Sequence, residues 1–298
     1  MSQEDEKTSN HPLLAMVDEG NGNYYMRAVE RKGVGESEWI VKDIHEELKA
    51  WGYPGGGDNE LIIKTDGEPA IVALRESVAK YHGGRVIPEQ SATGESQSNG
   101  KIEVSGKIIR GMIKIYKHQL EEMADMKLES KDVVMQWMIR WAAMAYSRYK
   151  KGEDGKTAYE RQGRKCRMDV MPFGETVLYR KLEETGDRKR ILESKWAEGI
   201  WLGHARKSNE VMIGTANGVI RAWSVRRMPD DKKWNRELIK NLKGTPQKHN
   251  PNMPGAEVRI DVAVPEPQFP PPEDIYRPAR EEGHRRTYLR RSDFDRFG

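Results

Sequence analysis

Cysteine is nearly absent from this chain of 298 residues, where Cys166 stands alone. One thiol cannot close an internal disulfide and leaves no Cys-based zinc site. The seven histidines are scattered, with no HxxxH pair, so a structural zinc module has no ligand set to use. Long apolar runs are missing too. No stretch approaches the roughly 18 apolar residues of a membrane helix. The opening MSQEDEKTSN is too polar and acidic for a signal or transit peptide. These absences lead us to expect a soluble, intracellular chain in a reducing compartment, with no membrane partner.

What is present is charge. Asp, Glu, Lys and Arg make up 33% of the residues, with a formal net charge of +4 and a pI near 8.9. Such a balance permits a nucleic-acid partner without requiring one. The useful question is where the positive charge gathers.

Along the chain, 1–11 reads as a disordered tail. The apolar runs PLLAMV and YYMRAVE flank the turn DEGNGN, which predicts a hairpin. SEWIVKDIHEELKAWG carries Trp39, Ile40, Ile44, Leu48 and Trp51 at helical spacing, beginning near Ser37 and ending at Gly52. ELIIKT reads as a short buried strand, PAIVALRESVAKYHGG as a helix and RVIP as another strand. After the polar loop EQSATGESQSNG come a long helix from about Asn99 to Met126 and the apolar helix of SKDVVMQWMIRWAAMAYSRYK. The order predicts an α/β layer with a mixed sheet over 12–149. A basic linker spans 150–171. Short strand-like runs between charged or Gly/Asn turns over 172–229 then predict a small β-barrel-like module. Nine of the fifteen prolines follow Gly244, so 230–298 reads as a mostly disordered tail. In the apolar helix, Trp137 and Trp141 with Met138, Met144 and Ala145 form a stripe, which suits an internal core or a homo-oligomer interface.

Two carboxylates stand out. Asp66 closes the run ELIIKT and precedes a helix, a position that an ordinary N-cap also takes. Glu103 opens the long helix, with thirty-six residues between it and Asp66. On that helix Glu103, Lys107, Arg110, Lys114 and Lys117 recur at steps of four and three, so they share one stripe opposite the apolar face. Between Lys101 and Leu120 the surplus of positive charge equals the +4 of the whole chain. The ordinary reading of such a stripe is a solvated face with a Glu–Lys pair four residues apart.

The segments TDGEPAI and SQSNGKIE resemble the catalytic core of retroviral and LTR-retrotransposon integrases, a branch of the ribonuclease-H-like fold. There a strand-end Asp opens a DNG-like motif, and a Glu follows at similar spacing within a QSQGxxE-like motif. Gln97, Ser98, Gly100 and Glu103 occupy the matching places. Downstream, PFGETVLY and KRILESKWAEGIWLGHARKSNEVMIGTANGVIRAWSVRRM look like the end of the copia-type integrase region, so the matches cover about Pro12 to Met228. The departures are specific. The family's first strand, which carries another catalytic Asp before the hairpin, has no match, nor does its amino-terminal zinc domain. Gly67 stands where the family usually has Asn, and Asp18 reads as a turn residue.

The resemblance implies metal-dependent DNA strand transfer within a retroelement polyprotein, acting in the nucleus. Asp66 and Glu103 would be the catalytic carboxylates and the ligands of Mg²⁺ or Mn²⁺, hard cations that take oxygen donors, in a two-metal site that lacks one ligand. Lys107, Arg110, Lys114 and Lys117 would meet DNA phosphates of the element's ends or of the target. The alternatives are a decayed, non-catalytic DNA-binding remnant and an unrelated α/β protein with a chance motif.

Overall fold

The hairpin forms as its pattern predicts. Strands β1 (Leu13–Val17) and β2 (Tyr24–Ala28) pair antiparallel, with Val17 opposite Tyr24. Asp18 builds the turn: its carboxylate accepts from the Gly20 N–H, from the side-chain amides of Asn21 and Asn23, and from the Tyr53 hydroxyl. A carboxylate so fully engaged is a turn residue, as its position suggested. This is a computed structural model, and it describes residues 12–35, 38–57, 60–90, 100–166, 170–181 and 194–253.

Helix α1 (Trp39–Trp51) ends at Gly52, as expected; its expected start at Ser37 lies outside the described residues. Strand β3 (Glu60–Thr65), helix α2 (Pro69–His82) and strand β4 (Arg85–Gln90) form a strand–helix–parallel strand unit. β3 and β4 pair in full register, from Glu60 opposite Arg85 to Thr65 opposite Gln90. Two expectations fail here. β3 is not buried, for Ile62 is 60% exposed. Nor is there one mixed sheet, because the hairpin and the β3–β4 pair form separate two-stranded sheets. The physical reason is coverage on one face only. Leu61 and Ile63 point into a cluster with Tyr25, Ile44, Leu48, Leu74 and Val78, whereas the Ile62 face meets solvent. The two small sheets thus share a core without sharing a hydrogen bond.

Helix α3 (Gly100–Met123) and helix α4 (Val133–Tyr149) follow. α4 is the most buried of the helices longer than five residues. The Ser147 hydroxyl accepts from the Tyr24 N–H at 2.7 Å and ties α4 to β2. Trp137 and Trp141 are fully buried, so their stripe is internal core. The short helix α5 (Ala158–Arg161) begins with a capping box between Thr157 and Glu160, and Arg161 donates to the Asn21 carbonyl in the hairpin turn. The basic stretch after α4 is therefore packed against the fold.

Five strands follow: β5 (Thr176–Arg180), β6 (Trp196–His204), β7 (Val211–Thr215), β8 (Gly218–Ala222) and β9 (Val225–Arg227). They form an antiparallel sheet in the order β8-β7-β6-β5-β9. The sheet is open rather than a closed barrel, because β8 and β9 do not pair with each other. They are joined only through Trp223 and Ser224, so the sheet curls until one bent stretch borders both edges. Its inner face packs on α4. Gly203, at φ +103°, allows this, since a Cβ there would lie 2.3 Å from the Trp141 ring.

The expected disordered tail also begins too early. A 3-10 turn at Asp230–Lys232 and helix α6 (Arg236–Lys240) follow β9, and Ile239 and Leu242 are buried in the common core. The Trp137 indole donates to the Gly244 carbonyl at 2.8 Å, and the His249 carbonyl accepts from Val219. Apolar burial outweighs the turn-forming composition up to about residue 253. Residues 254–298 lie outside those described, as do 1–11.

Candidate functional site

The parallel pairing of β3 and β4 brings the carboxyl-terminal ends of both strands to one edge. Asp66 follows β3 directly, and the chain leaves β4 at Gln90 on the same edge. Arg75 of α2 fastens this edge by donating to the Thr65 hydroxyl at 3.1 Å and to the Glu89 carbonyl at 3.0 Å. Gly67 lets the Gln90 side chain lie across the turn, for a Cβ there would sit 2.6 Å from its amide nitrogen. An Asn at 67 would have to displace that amide.

Asp66 does none of the ordinary work of a strand-end Asp. Helix α2 has Glu68 as its N-cap and Pro69 at its first position, with no side-chain cap bond. The Asp66 side chain is exposed, and among the described residues it has no hydrogen-bond or ion-pair partner. Glu103 lies in the first turn of α3 and is exposed as well. There it complements the helix dipole, a contribution of about 0.3–1 kcal/mol. The expected pair with Lys107 does not form, and no described residue pairs with Glu103. The matching Gln97 and Ser98 fall outside the described residues.

The start of α3 rests on β2 and α4. The Ser105 hydroxyl lies 3.2 Å from that of Tyr146, and Gly106 admits the Tyr24 ring, whose hydroxyl would meet a Cβ at 3.1 Å. Burial, opposed by nearby Arg110, pushes the Tyr24 hydroxyl up to about 12. The structure thus seats Glu103 on a packed helix start and Asp66 on a fastened strand edge, both open to solvent.

The basic stripe divides. Lys107 and Arg110 are exposed and Lys114 is half-buried, all three without a carboxylate partner among the described residues. Lys117 is different. It pairs with Glu121 at 2.7 Å, and the same carboxylate accepts from the Leu128 N–H in the turn between α3 and α4. Lys117 therefore serves the fold.

A hard cation such as Mg²⁺ or Mn²⁺ suits the two carboxylates, which offer uncommitted oxygen donors. Among the described residues no group of three His, Cys, Asp or Glu gathers to complete a cage. No helix there is long and apolar enough to cross a membrane.

Reading the sequence missed a second charged centre. Arg27 of β2, Asp43 and Glu47 of α1 and Arg206 beyond β6 form an ion network, with Arg27 and Arg206 each reaching both carboxylates. The two guanidiniums hold the Asp43 carboxyl well below the usual carboxylate range against the opposing effect of burial. A signal existed: Asp43 and Glu47 stand four apart beside core residues Ile44 and Leu48, where an exposed face would not put them.

No protein-family model and no characterised protein matches this sequence.

Proposed function

We propose that this chain is an integrase-like polynucleotidyl transferase core of a retroelement polyprotein, engaging DNA through the exposed start of α3. The observation that carries this reading is the idleness of Asp66 and Glu103. Asp66 follows a strand and Glu103 lies in the first turn of a helix, and among the described residues neither has a hydrogen-bond or ion-pair partner. Two more features support it. Lys107 and Arg110 lie one and two turns beyond Glu103 as free cations. The hairpin and the β3–β4 pair share one apolar cluster yet have unpaired edges. A ribonuclease-H-like sheet calls for one more strand, ahead of the hairpin and bearing another Asp.

Asp66 and Glu103 would hold a divalent cation, which when bound neutralises charge developing on a transferring phosphoryl group. Their own contribution is to present oxygen donors that no described residue engages. Lys107 and Arg110 would fix the DNA strand by its phosphates, a contact that positions without reading sequence. The second reading, a DNA-binding remnant without catalysis, is favoured by the lack of a third ligand among the described residues. One assay separates the two. The full chain is incubated with Mn²⁺ and a labelled DNA end, and nicking and strand transfer are followed beside Asp66→Asn and Glu103→Gln. Activity abolished in both variants supports the enzyme. DNA retention with no activity in any form supports the remnant, and absence of DNA binding sinks both.

A further inference from the structure

Away from Asp66 and Glu103, the packing between α1, α4 and the stretch after β6 gathers more arginines than carboxylates. Arg27, Arg140 and Arg148 are buried and Arg206 nearly so. Among the described residues the carboxylates that reach this group are Asp43 and Glu47, and both are occupied. Asp43 lies 3.0 Å from Arg27 Nε, contacts Arg206 and accepts from the Tyr25 hydroxyl. Glu47 lies 2.7 Å from Arg206 Nε and 4.0 Å from Arg27.

Arg140 and Arg148 are left with carbonyls and with the ring faces of Trp137 and Tyr159, none of which carries a negative charge. Both terminal nitrogens of Arg140 donate to the His204 carbonyl at 3.1 Å, and Arg148 donates to the carbonyls of Ala205 and Ser208. A carbonyl orients a guanidinium but does not cancel its charge, and a buried charge without a counter-ion is costly. The field confirms the surplus. Burial, then Arg27 and Arg206, pull the Arg140 guanidinium down to about 9, ahead of the opposing effects of Glu47 and Asp43.

Beside Arg140 lies a cavity of about 250 Å³. Arg140, Arg206 and Arg221 line it, with Asp43, Met212 and His249. Asp43 is already neutralised by two guanidiniums. His249, depressed to about 4 by burial and by Arg140 and Arg221, is neutral near pH 7. Arg221 is mostly exposed and stands 4.0 Å from Glu210, so its charge is only loosely engaged. The volume falls below the roughly 300–1,000 Å³ of pockets that take larger ligands. It is ample for an ion with some water, whose share of the liquid is about 30 Å³ per molecule.

We propose that this cavity binds a small oxyanion of the phosphate class, held between the buried Arg140 and the more exposed Arg221. Guanidinium forks match phosphate oxygens two at a time, which a backbone carbonyl cannot satisfy in their place. The ligand supplies the counter-charge that the fold itself withholds from Arg140. This site is separate from Asp66 and Glu103 and does not depend on the function proposed for them.

The test is calorimetric titration of the full chain with inorganic phosphate in chloride buffer near pH 7. We expect saturable binding at one site, about five- to tenfold weaker in Arg221→Gln, as befits loss of one charged hydrogen-bonding partner. Arg221 is exposed, so this variant should fold normally; Arg140→Met should lose binding if it folds. A 5′-phosphorylated dinucleotide that competes with phosphate makes a nucleic-acid end the source of the ligand. Failure to compete leaves free phosphate. Absence of saturable heat, or unchanged affinity in Arg221→Gln, overturns the proposal.

Discussion

The β3–β4 pair and the α4–β-sheet region are built to opposite standards. In the first, β3 alternates between exposed and half-buried residues, β4 has no buried residue, and Ile62 has most of its surface in water. In the second, Trp137, Met138, Ile139, Trp201 and Leu202 have none. Two-stranded sheets are marginal by themselves, whereas a five-stranded sheet against an apolar helix holds a full core. Of the two carboxylates that suggest chemistry, Asp66 belongs to the thinly covered region and Glu103 to the exposed side of a helix packed on the dense one, whose core holds Trp137, Trp141 and Trp201. Stability and the proposed site are therefore separable by mutation.

The largest effect should come from the dense region. Trp141→Ala removes a ring that packs edge-on against Trp201 at 4.7 Å between centroids and lies against Gly203. We expect a loss of about 3–5 kcal/mol in denaturant unfolding, as for other buried aromatic truncations. Ile62→Ala should cost under about 0.5 kcal/mol, as exposed substitutions do. Similar losses for the two would dissolve the contrast.

Acid should strike the same dense region. His204 and His249 are each depressed to about 4, mainly by burial, with neighbouring arginines adding to it. The His204 Nε2 is buried with no partner, while its Nδ1 lies 3.3 Å from the Asn209 carbonyl, which assigns the proton to Nδ1. A folded pKa below the unfolded value of about 6.5 means that the native state prefers the neutral ring. That stability is complete above pH 6.5 and is lost as pH falls toward 4, by on the order of 2–3 kcal/mol per histidine. Unfolding midpoints between pH 7 and 4 should fall in the native chain and fall less in His249→Gln. Parallel curves for the two would mean that His249 is not responsible.

How much of this was legible in the sequence follows from what each signal encodes. Element order is local, and DEGNGN, Gly52 and the Gly83-Gly84 stop set it correctly. Lateral pairing is not local: nothing in ELIIKT says whether its neighbour is the hairpin or only β4. Alternation along β3 did contain a warning, since Glu60, Ile62 and Lys64 share a face and two of those three are charged. Proline content suggested disorder after β9, yet Trp234, Leu238, Ile239 and Leu242 carry helical spacing that signals docking. The buried arginines were hidden for another reason. Composition places Arg on surfaces, and only the tertiary fold sets Arg140 and Arg148 against the loop after β6.

At the site, substitutions should leave the fold alone. Asp66→Asn and Glu103→Gln touch exposed groups without partners among the described residues, so the first should shift stability by no more than about 0.5 kcal/mol and the second, which gives up a helix-dipole interaction, by no more than about 1 kcal/mol. Mn²⁺ titration followed by calorimetry should lose its signal in Asp66→Asn. Retained binding would place the metal elsewhere, and a large loss of stability would show Asp66 to be a structural residue after all.

The smallest effect is the sharpest, because it divides a single helix face. Lys107, Arg110, Lys114 and Lys117 look alike in sequence, but Lys117 is spent on Glu121 and through it on the turn at Leu128. If the free cations meet DNA phosphates, Lys107→Ala with Arg110→Ala should lower the magnitude of the log K against log[salt] slope by about 1–2 units. Folding stability should hardly move, since exposed charges contribute little to it. Lys117→Ala should do the reverse, costing up to about 1 kcal/mol in stability while leaving the salt slope nearly unchanged. Lys232→Ala, beyond the sheet, serves as a control for diffuse attraction. Should the double variant and the control change the slope equally, the stripe is a solvated face and DNA is held, if at all, by net charge. Should Lys117→Ala change the slope as much as Lys107→Ala does, its pairing with Glu121 yields to DNA. The division drawn along α3 would then fail.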